Sequence, residues 1–413
     1  MEKHLKMDGA AKRFTTGLLS SLLLCLGPLG LTDQCWADSA EVLPKGRSAI
    51  FIEGKFYLPI DERYNEDGNE EDLAKDFNTN LNSRVFPSLR LVETAFGMPA
   101  GSGSLGNSVV SFEYDVTVIE LNYAYGITDK LSFGIKIPYW DFKNNVSAEL
   151  DTSKATIGKN SLVPGGFAPL TFPGTKPLTA GDVQNLLARN YGYEPIQNWS
   201  RSGISDIQAF LRYQYYHSTN WRLALTGGAQ FPTGKEDDPD SFVDYPFGTG
   251  AWAGLLRLNQ DYIGTKNLLL STTLRYDYYF PQHFEMRIPN DVDQPITTNK
   301  ETVDRKIGNY FEFEIIGNYE FISGFSVFLT YKFGYKWRDD ISGTMGYAYN
   351  VAEAETNAKE HVYIIGLQYS TFPLYLAKEF PLPMIGFIGY RSRFAGENVL
   401  KSDYIDVGLT VFF

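Results

Sequence analysis

The strongest restriction on how this chain folds is the length over which apolar side chains recur at every second position. From Phe325 to Trp337 one parity holds Phe325, Val327, Leu329, Tyr331, Phe333, Tyr335 and Trp337, and the other holds Ser326, Phe328, Thr330, Lys332, Gly334 and Lys336. Successive side chains of a strand point to opposite faces, so this stretch reads as a strand with one apolar and one mostly polar face. Just before it, Phe311, Phe313, Ile315, Gly317, Tyr319 and Phe321 alternate with Glu312, Glu314, Asn318 and Glu320, and Ile322-Ser323-Gly324 joins the two stretches as a hairpin.

The pattern predicts about twelve strands, at 48–58, 109–127, 131–145, 203–216, 221–231, 249–258, 267–280, 306–321, 325–337, 360–371, 383–393 and 402–413. Short connections at 128–130, 217–220, 260–266, 322–324 and 372–382 alternate with longer ones at 59–108, 146–202, 232–248, 281–305, 338–359 and 394–401. Segment 84–96 also has strand-like composition, but Pro87 and the odd count it would produce assign it to the first long loop. In 109–127 the apolar phase changes between Val118 and Ile119, which predicts a bulge there or a later strand start.

The amino terminus points to export. Lys3, Lys6, Lys12 and Arg13 precede an apolar run from Gly17 to Leu31, and Cys35-Trp36-Ala37 puts small residues before Asp38. This is the layout of a secretory signal peptide at 1–37, cleaved after Ala37 following Sec-type export, and cleavage removes both cysteines, Cys25 and Cys35. A retained membrane helix fits less well, because the run is short and broken by Pro28. No later stretch approaches 18 consecutive apolar residues, so a membrane-bound form must satisfy its backbone as a closed barrel.

The expected fold is therefore all-β: residues 38–413 form a single transmembrane antiparallel up-and-down β-barrel of about twelve strands. Short turns face the periplasm and long loops the exterior of a Gram-negative cell outer membrane. Aromatic residues make up 15% of the chain, and they fall where such a barrel needs them. Tyr125, Tyr215, Trp221, Tyr319, Phe325, Tyr369 and Phe413 lie at the short-turn ends, while Tyr139, Phe231, Trp252, Tyr278, Tyr335, Trp337 and Tyr363 lie toward the long loops. Two such girdles match the two headgroup boundaries of outer-membrane lipid and lipopolysaccharide. The net charge of −12 argues against a nucleic-acid partner.

Two stretches resemble a known family. GISDIQAFLRYQYYHSTNWRLALTGGAQFPTGK (203–235) carries G-x-S-D, a strand rich in aromatics and Arg, a tight turn, a second strand and F-P-T-G, and LNYAYGITDKLSFGIKIPYW (121–140) is a hairpin ending on P-Y-W. Both are similar to the outer-membrane proteins named for the MetA pathway of phenol degradation. The resemblance implies a channel or transport component linked to aromatic or other hydrophobic compounds. The final strand, with Ile405, Val407, Leu409, Val411 and Phe413 in one phase, likewise resembles the terminal signature of outer-membrane barrels, which implies a barrel-assembly partner that reads Phe413.

Other motifs fall short. Gly228 to Lys235 has Ala229 and Glu236 where a phosphate-binding loop needs Gly and Ser or Thr. His4, His217, His283 and His361 are dispersed, so neither a histidine metal site nor a Ser/His hydrolase is suggested. His217-Ser218 is the faint support for an outer-membrane lipase. Acidic residues cluster in the first long loop (Asp61, Glu62, Glu66, Asp67, Glu70, Glu71, Asp72, Asp76) and the third (Glu236, Asp237, Asp238, Asp240, Asp244). Arg63 interrupts the spacing of a Ca²⁺ loop, so these read as a solvated or cation-bridged surface, and no cofactor or metal is expected.

The inward phase carries the candidate functional residues. Lys136, Glu120, Arg212, Arg222, Arg275, Asp277, Glu312, Glu314, Lys332 and Lys336 are predicted to line the lumen, with Lys55, Arg257, Glu53, Glu320 and Asp406 on the same face. A barrel of ~8 strands fills with side chains and one of ~16 holds an aqueous channel, so twelve leaves two readings. The charges either pair across the lumen and close it or face a narrow wet channel, with Gly134, Ala224, Gly228, Gly334 and Gly366 leaving space for the second. In the longest loop, the stretch from Pro177 to Gly192 has cap, apolar stripe and terminal glycine for a short helix, either a lid over the mouth or a rim element. The expected function is a non-enzymatic outer-membrane channel for passive uptake of small, weakly polar or aromatic molecules. A structural or adhesive barrel with a plugged lumen is the alternative.

Overall fold

The computed structural model describes residues 39–413 apart from 266, 290 and 292–295, so the predicted signal peptide lies outside the described residues. Twelve long strands follow one another: β1 (Ser48–Tyr57), β2 (Ser104–Thr128), β3 (Leu131–Asp151), β4 (Trp199–Ile204 and Ile207–His217), β5 (Trp221–Phe231) and β6 (Ala253–Thr265). The second half is β7 (Leu268–Tyr279), β8 (Tyr310–Ile322), β9 (Phe325–Lys336), β10 (Ala358–Ser370), β11 (Met384–Glu397) and β12 (Asp403–Phe412). Each strand pairs antiparallel with the next, and β1 pairs with β12 from Ala49–Phe412 to Tyr57–Tyr404, so the sheet closes on itself. The seam ends where the chain ends: Ser48 N donates to Phe413 O at 2.8 Å and Phe413 N to Ser48 O at 3.0 Å. Closure leaves no edge, the condition for a sheet in lipid.

All twelve predicted strands are present, and their boundaries differ for identifiable reasons. β6 runs through 260–263, read from the sequence as turn, because the polar Asn259 and Asp261 face inward and are fully buried. Ser205 and Asp206 form a one-residue bulge in β4: Tyr139 of β3 faces Ile204, yet Lys136 faces Gln208. The extra residue lets Ser205 N reach the carbonyl of Pro138, a residue that cannot itself donate to the ladder. Segment 84–96 contains the helix α1 (Leu89–Ala95) in the first long loop, not a strand.

The bulge expected at Val118-Ile119 is absent. Val118 faces Trp140 and Ile119 faces Tyr139 in an unbroken β2–β3 ladder from Asn107–Asp151 to Gly126–Ser132. What changes is the surroundings. Toward the short turn, outward residues are apolar (Ile119, Leu121, Tyr123, Tyr125, Ile127); toward the long loops, outward residues are Ser111, Glu113, Asp115 and Thr117. There the inward residues Val110, Phe112, Tyr114, Val116 and Val118 are buried instead. β3 switches at the same height, from outward Ile135, Ile137 and Tyr139 to Asp141, Lys143 and Asn145, with Trp140 and Phe142 inside. Both strands therefore extend as a two-stranded sleeve above the apolar band.

That sleeve surrounds a second hydrophobic core. Phe112, Tyr114, Trp140 and Phe142 pack with Ile60, Phe77, Val243, Tyr245 and Phe247 from the long loops, and the rings of Phe142 and Tyr245 stack at 4.6 Å and 8°. A neighbouring cluster joins Phe86 and Leu89 to Leu105, Val183, Leu187 and Tyr193. The predicted helix in the longest loop is α2 (Ala180–Leu186). Thr179 caps it in a reciprocal box with Asp182, and a five-residue turn carries it to Gly192 at φ 76°, where the left-handed backbone favours glycine. Its Val183 is buried against Phe86, Leu105 and Leu187 in this neighbouring cluster.

Candidate functional site

The ten residues predicted to line the lumen all sit on barrel strands. Nine are buried, and Arg222, at the short-turn end, has its side chain 17% exposed. On β1–β3, Glu120 receives Lys55 at 2.7 Å and Lys136 at 2.8 Å, and Glu53 lies 3.7 Å from Lys55. On β7–β11, Arg275 meets Asp277 at 2.6 Å, Lys332 meets Glu312 at 3.2 Å, and Glu360 gathers Arg393 at 2.8 Å, Arg391 at 3.5 Å and Lys332 at 3.8 Å. The Tyr310 hydroxyl donates toward Glu312 at 2.7 Å and Glu360 at 3.1 Å. Glu314 is buried beside Lys332 in the β8–β9 register.

Between these two groups Arg212 and Arg257 stand beside a hydrogen-bonded row of uncharged side chains. Arg212 Nε donates to Thr226 at 3.1 Å, Thr226 to Asn259 at 2.9 Å, and Asn259 to Thr273 at 3.1 Å. Each ion pair named above lies within one strand or joins neighbouring strands, so these pairs run along the wall and not across the lumen. Lys336 sits higher than predicted, held by Asp339 and by the carbonyl of Thr356 at 2.6 Å, with Arg305 on the same Asp339. Glu320 is not a lumen residue: it accepts from Gly324 N at 2.7 Å and closes the β8–β9 turn.

The glycine expectation also changes. A Cβ on Gly134 would come within 2.4 Å of the Phe210 ring, one on Gly366 within 2.4 Å of Phe328, and one on Gly334 within 2.6 Å of the Tyr310 hydroxyl. The small residues seat neighbouring aromatic side chains instead of leaving open space. One result is an apolar patch on the inner wall, Phe51, Phe328, Val362, Ile364 and Phe387, with Phe387 6.1 Å from both Phe51 and Phe328. The lumen is thus charged in some sectors and aromatic in another.

At the short-turn end the chain before β1 turns into the barrel. Ser39 Oγ and Ala40 N donate to Asp261 at 2.8 and 3.1 Å, Gln214 donates to the Ala40 carbonyl at 2.8 Å, and Leu43 N to Ser132 at 2.9 Å. Arg222 pairs with Glu41 at 2.7 Å, so its partner is this segment. Glu360, Arg391, Arg393 and Asp261 were not among the predicted residues. Arg391 alternates with outward Ile388 and Tyr390 and was legible in phase, whereas the anchoring of residues 39–43 has no periodic signal.

The two sequence motifs meet in space. Asp206 of G-x-S-D accepts from Gly234 N at 3.0 Å, Gln230 at 3.1 Å and the Thr249 hydroxyl at 2.9 Å. Thr233 of F-P-T-G donates to the Ser205 carbonyl at 2.8 Å and accepts from Ile207 N at 3.0 Å. A side chain at position 234 would strike the Phe247 carbonyl at 2.3 Å, so glycine is required there. The motifs are a clasp that pins loop 232–249, whose Val243, Tyr245 and Phe247 fill the mouth.

The acidic loops are bridged by the protein's own cations. Arg63 holds Glu71 and Asp76, Lys401 holds Glu62 and Glu70 at 2.7 Å each, Arg287 and Lys300 hold Asp240, and Arg201 holds Asp244. The hydrogen bond and charge of Lys401, with a hydrogen bond from Tyr64, keep Glu70 below the usual carboxylate range against the opposing effect of burial. Asp237, by contrast, is pushed well above it by burial and by the neighbouring Asp244. Among the described residues no group of three or more His, Cys, Asp or Glu is arranged to hold a metal. His217 ends β4 on the exposed short-turn side opposite Arg222, and Ser218 accepts from Trp221 N at 3.1 Å, so neither side chain faces the lumen network.

Residues 106–371, more than half of the chain, match the family described as the MetA-pathway of phenol degradation. The chain belongs to this family. The family match begins within β2 and ends just past β10, so it includes both motif segments and the sleeve. In architecture the chain is similar to the crystal structure of an outer membrane channel from Pseudomonas putida F1, at a TM-score of 0.52 and 12% identity, covering 91% of this chain and 98% of that one. At that identity the likeness is one of fold. The toluene transporter TbuX of Ralstonia pickettii, at a TM-score of 0.35 and 9% identity over 90% of each chain, lies too far away to carry an argument. No curated protein matches in sequence.

Proposed function

We propose that the protein is an outer-membrane channel for passive uptake of small, weakly polar or aromatic molecules. The observation that carries this reading is the inner wall of the closed barrel: ion pairs run along it, and an aromatic sector lies beside them. A solute with a flat apolar face and one polar group can exchange contacts with both sectors, whereas a small ion meets carboxylates and cations that are mostly already paired. Lys136, Glu120, Arg212, Arg222, Arg275, Asp277, Glu312, Glu314, Lys332 and Lys336 are the proposed lining. The chain is proposed to be exported through the Sec route with cleavage after Ala37, to be recognised by the barrel-assembly machinery at Phe413, and to sit among lipopolysaccharide. It carries out no catalytic step in this reading.

Planar-bilayer recordings of the refolded, heat-modifiable barrel test it. Small conductance that falls when phenol or benzyl alcohol is added supports the proposal. A folded barrel that neither conducts nor passes these solutes into liposomes overturns it in favour of a structural barrel.

A further inference from the structure

The long loops hold two pockets that share one side chain. The outer pocket, of about 360 Å³, is lined by Leu89, Leu91, Val92 and Phe96 on and beside α1, with Phe167 and Leu186 facing them. It opens to the surface, where Leu91 is 75% exposed. The inner pocket, of about 80 Å³, lies inside the sleeve between Val110 of β2, Ala148 and Leu150 of β3, and Val183 and Leu187. It borders Phe77 and Val110, members of the core that fills the mouth. Phe86 lines both pockets and is 2% exposed.

We propose that the outer pocket captures small aromatic hydrocarbons of one or two rings, and that Phe86 is the door through which they pass into the sleeve. The inference rests on the channel reading and names where a solute first binds. Size argues for it: a dry apolar cavity of ~150 Å³ takes benzene, so the outer pocket has room for a solute and the inner one does not until a ring moves. Phe86 is the ring whose displacement joins them. Its backbone N donates to Asn82 O at 2.8 Å and its ring meets Tyr191 at 6.1 Å, so the main chain is held while only the side chain closes the gap. Chemistry sets the class: the outer walls are mainly aliphatic and aromatic, with Ser88 and Asn190 as their polar side chains, so a charged solute would lose its hydration without a compensating charge.

Thiol labelling in intact outer membranes tests the door. Ala95→Cys marks the outer pocket and Val183→Cys the inner one, in a chain carrying Cys25→Ala and Cys35→Ala. N-phenylmaleimide should reach the thiol at 183 at least tenfold faster than a sulfonated phenylmaleimide does. Phe86→Trp should slow that reaction about tenfold and Phe86→Ala should speed it, with the rate at position 95 unchanged in both, which also reports that the loops remain folded. Equal rates at 183 for the two reagents, or no response to either Phe86 substitution, overturn the proposal. Failure of aromatic uptake with these labelling ratios intact would instead remove the channel reading and leave the door.

Discussion

β3 crosses two solvents without changing its geometry. From Leu131 to Tyr139 its outward side chains are apolar and its inward ones are Ser132, Gly134 and Lys136; from Trp140 to Leu150 the inward side chains are mostly apolar and the outward ones are Asp141, Lys143, Asn145, Ser147 and Glu149. The lower half has the polarity of a membrane barrel, apolar outside and polar inside, and the upper half has that of a water-soluble protein. The lesson is that an alternating pattern identifies which residues share a face, while the solvent on each side decides which face is apolar. Tyr139 marks the level of exchange.

The comparison can be broken first from the inside. Glu360→Ala would leave Arg391, Arg393 and Lys332 buried with a lost partner, a cost of about 3–5 kcal/mol, read as a lower urea midpoint for barrel unfolding in liposomes. Phe142→Ala, a substitution in the upper core, should cost about 3–5 kcal/mol of loop stability. It should appear as faster proteolysis of 232–248 and leave the heat-modifiable barrel band in place. A matched pair on one face of β2 sharpens the contrast: Leu121→Arg should cost about 2–4 kcal/mol, because it faces hydrocarbon, whereas Ser111→Arg should change stability by less than about 0.5 kcal/mol.

The smallest effect concerns α2. A hydrogen bond from Lys159, followed by one from Thr179 N, lowers the Asp182 carboxyl to about 2. A depressed carboxylate stabilises the fold above its unfolded pKa and loses that contribution as pH falls through the folded value, here between pH ~4 and 2. Protease cutting in 146–198 should rise over that window, and Asp182→Asn should abolish the dependence. A rise already complete at pH 5 would assign the sensitivity elsewhere.

Much of this was legible from periodicity. The twelve strands and the helix after Thr179 follow from alternation and cap chemistry, because backbone geometry forces side chains of equal parity onto one face. The phase change at Val118-Ile119 was visible too, but its cause was not. A bulge and a change of solvent give the same local pattern, and the distinction lies in Ile60, Phe77 and Tyr245, which arrive from distant loops. The filling of the glycine sites by Phe210, Phe328 and Tyr310 was hidden for the same reason.

By itself, then, the sequence determined where the strands lie and which side chains share a face, because both depend on neighbours two residues away. Tertiary structure decided which charges pair, where Arg222 and Lys336 find partners, how G-x-S-D clasps F-P-T-G, and what covers the mouth. Most of those contacts join residues tens to hundreds of positions apart, and their energies exist only once the barrel has brought the strands together.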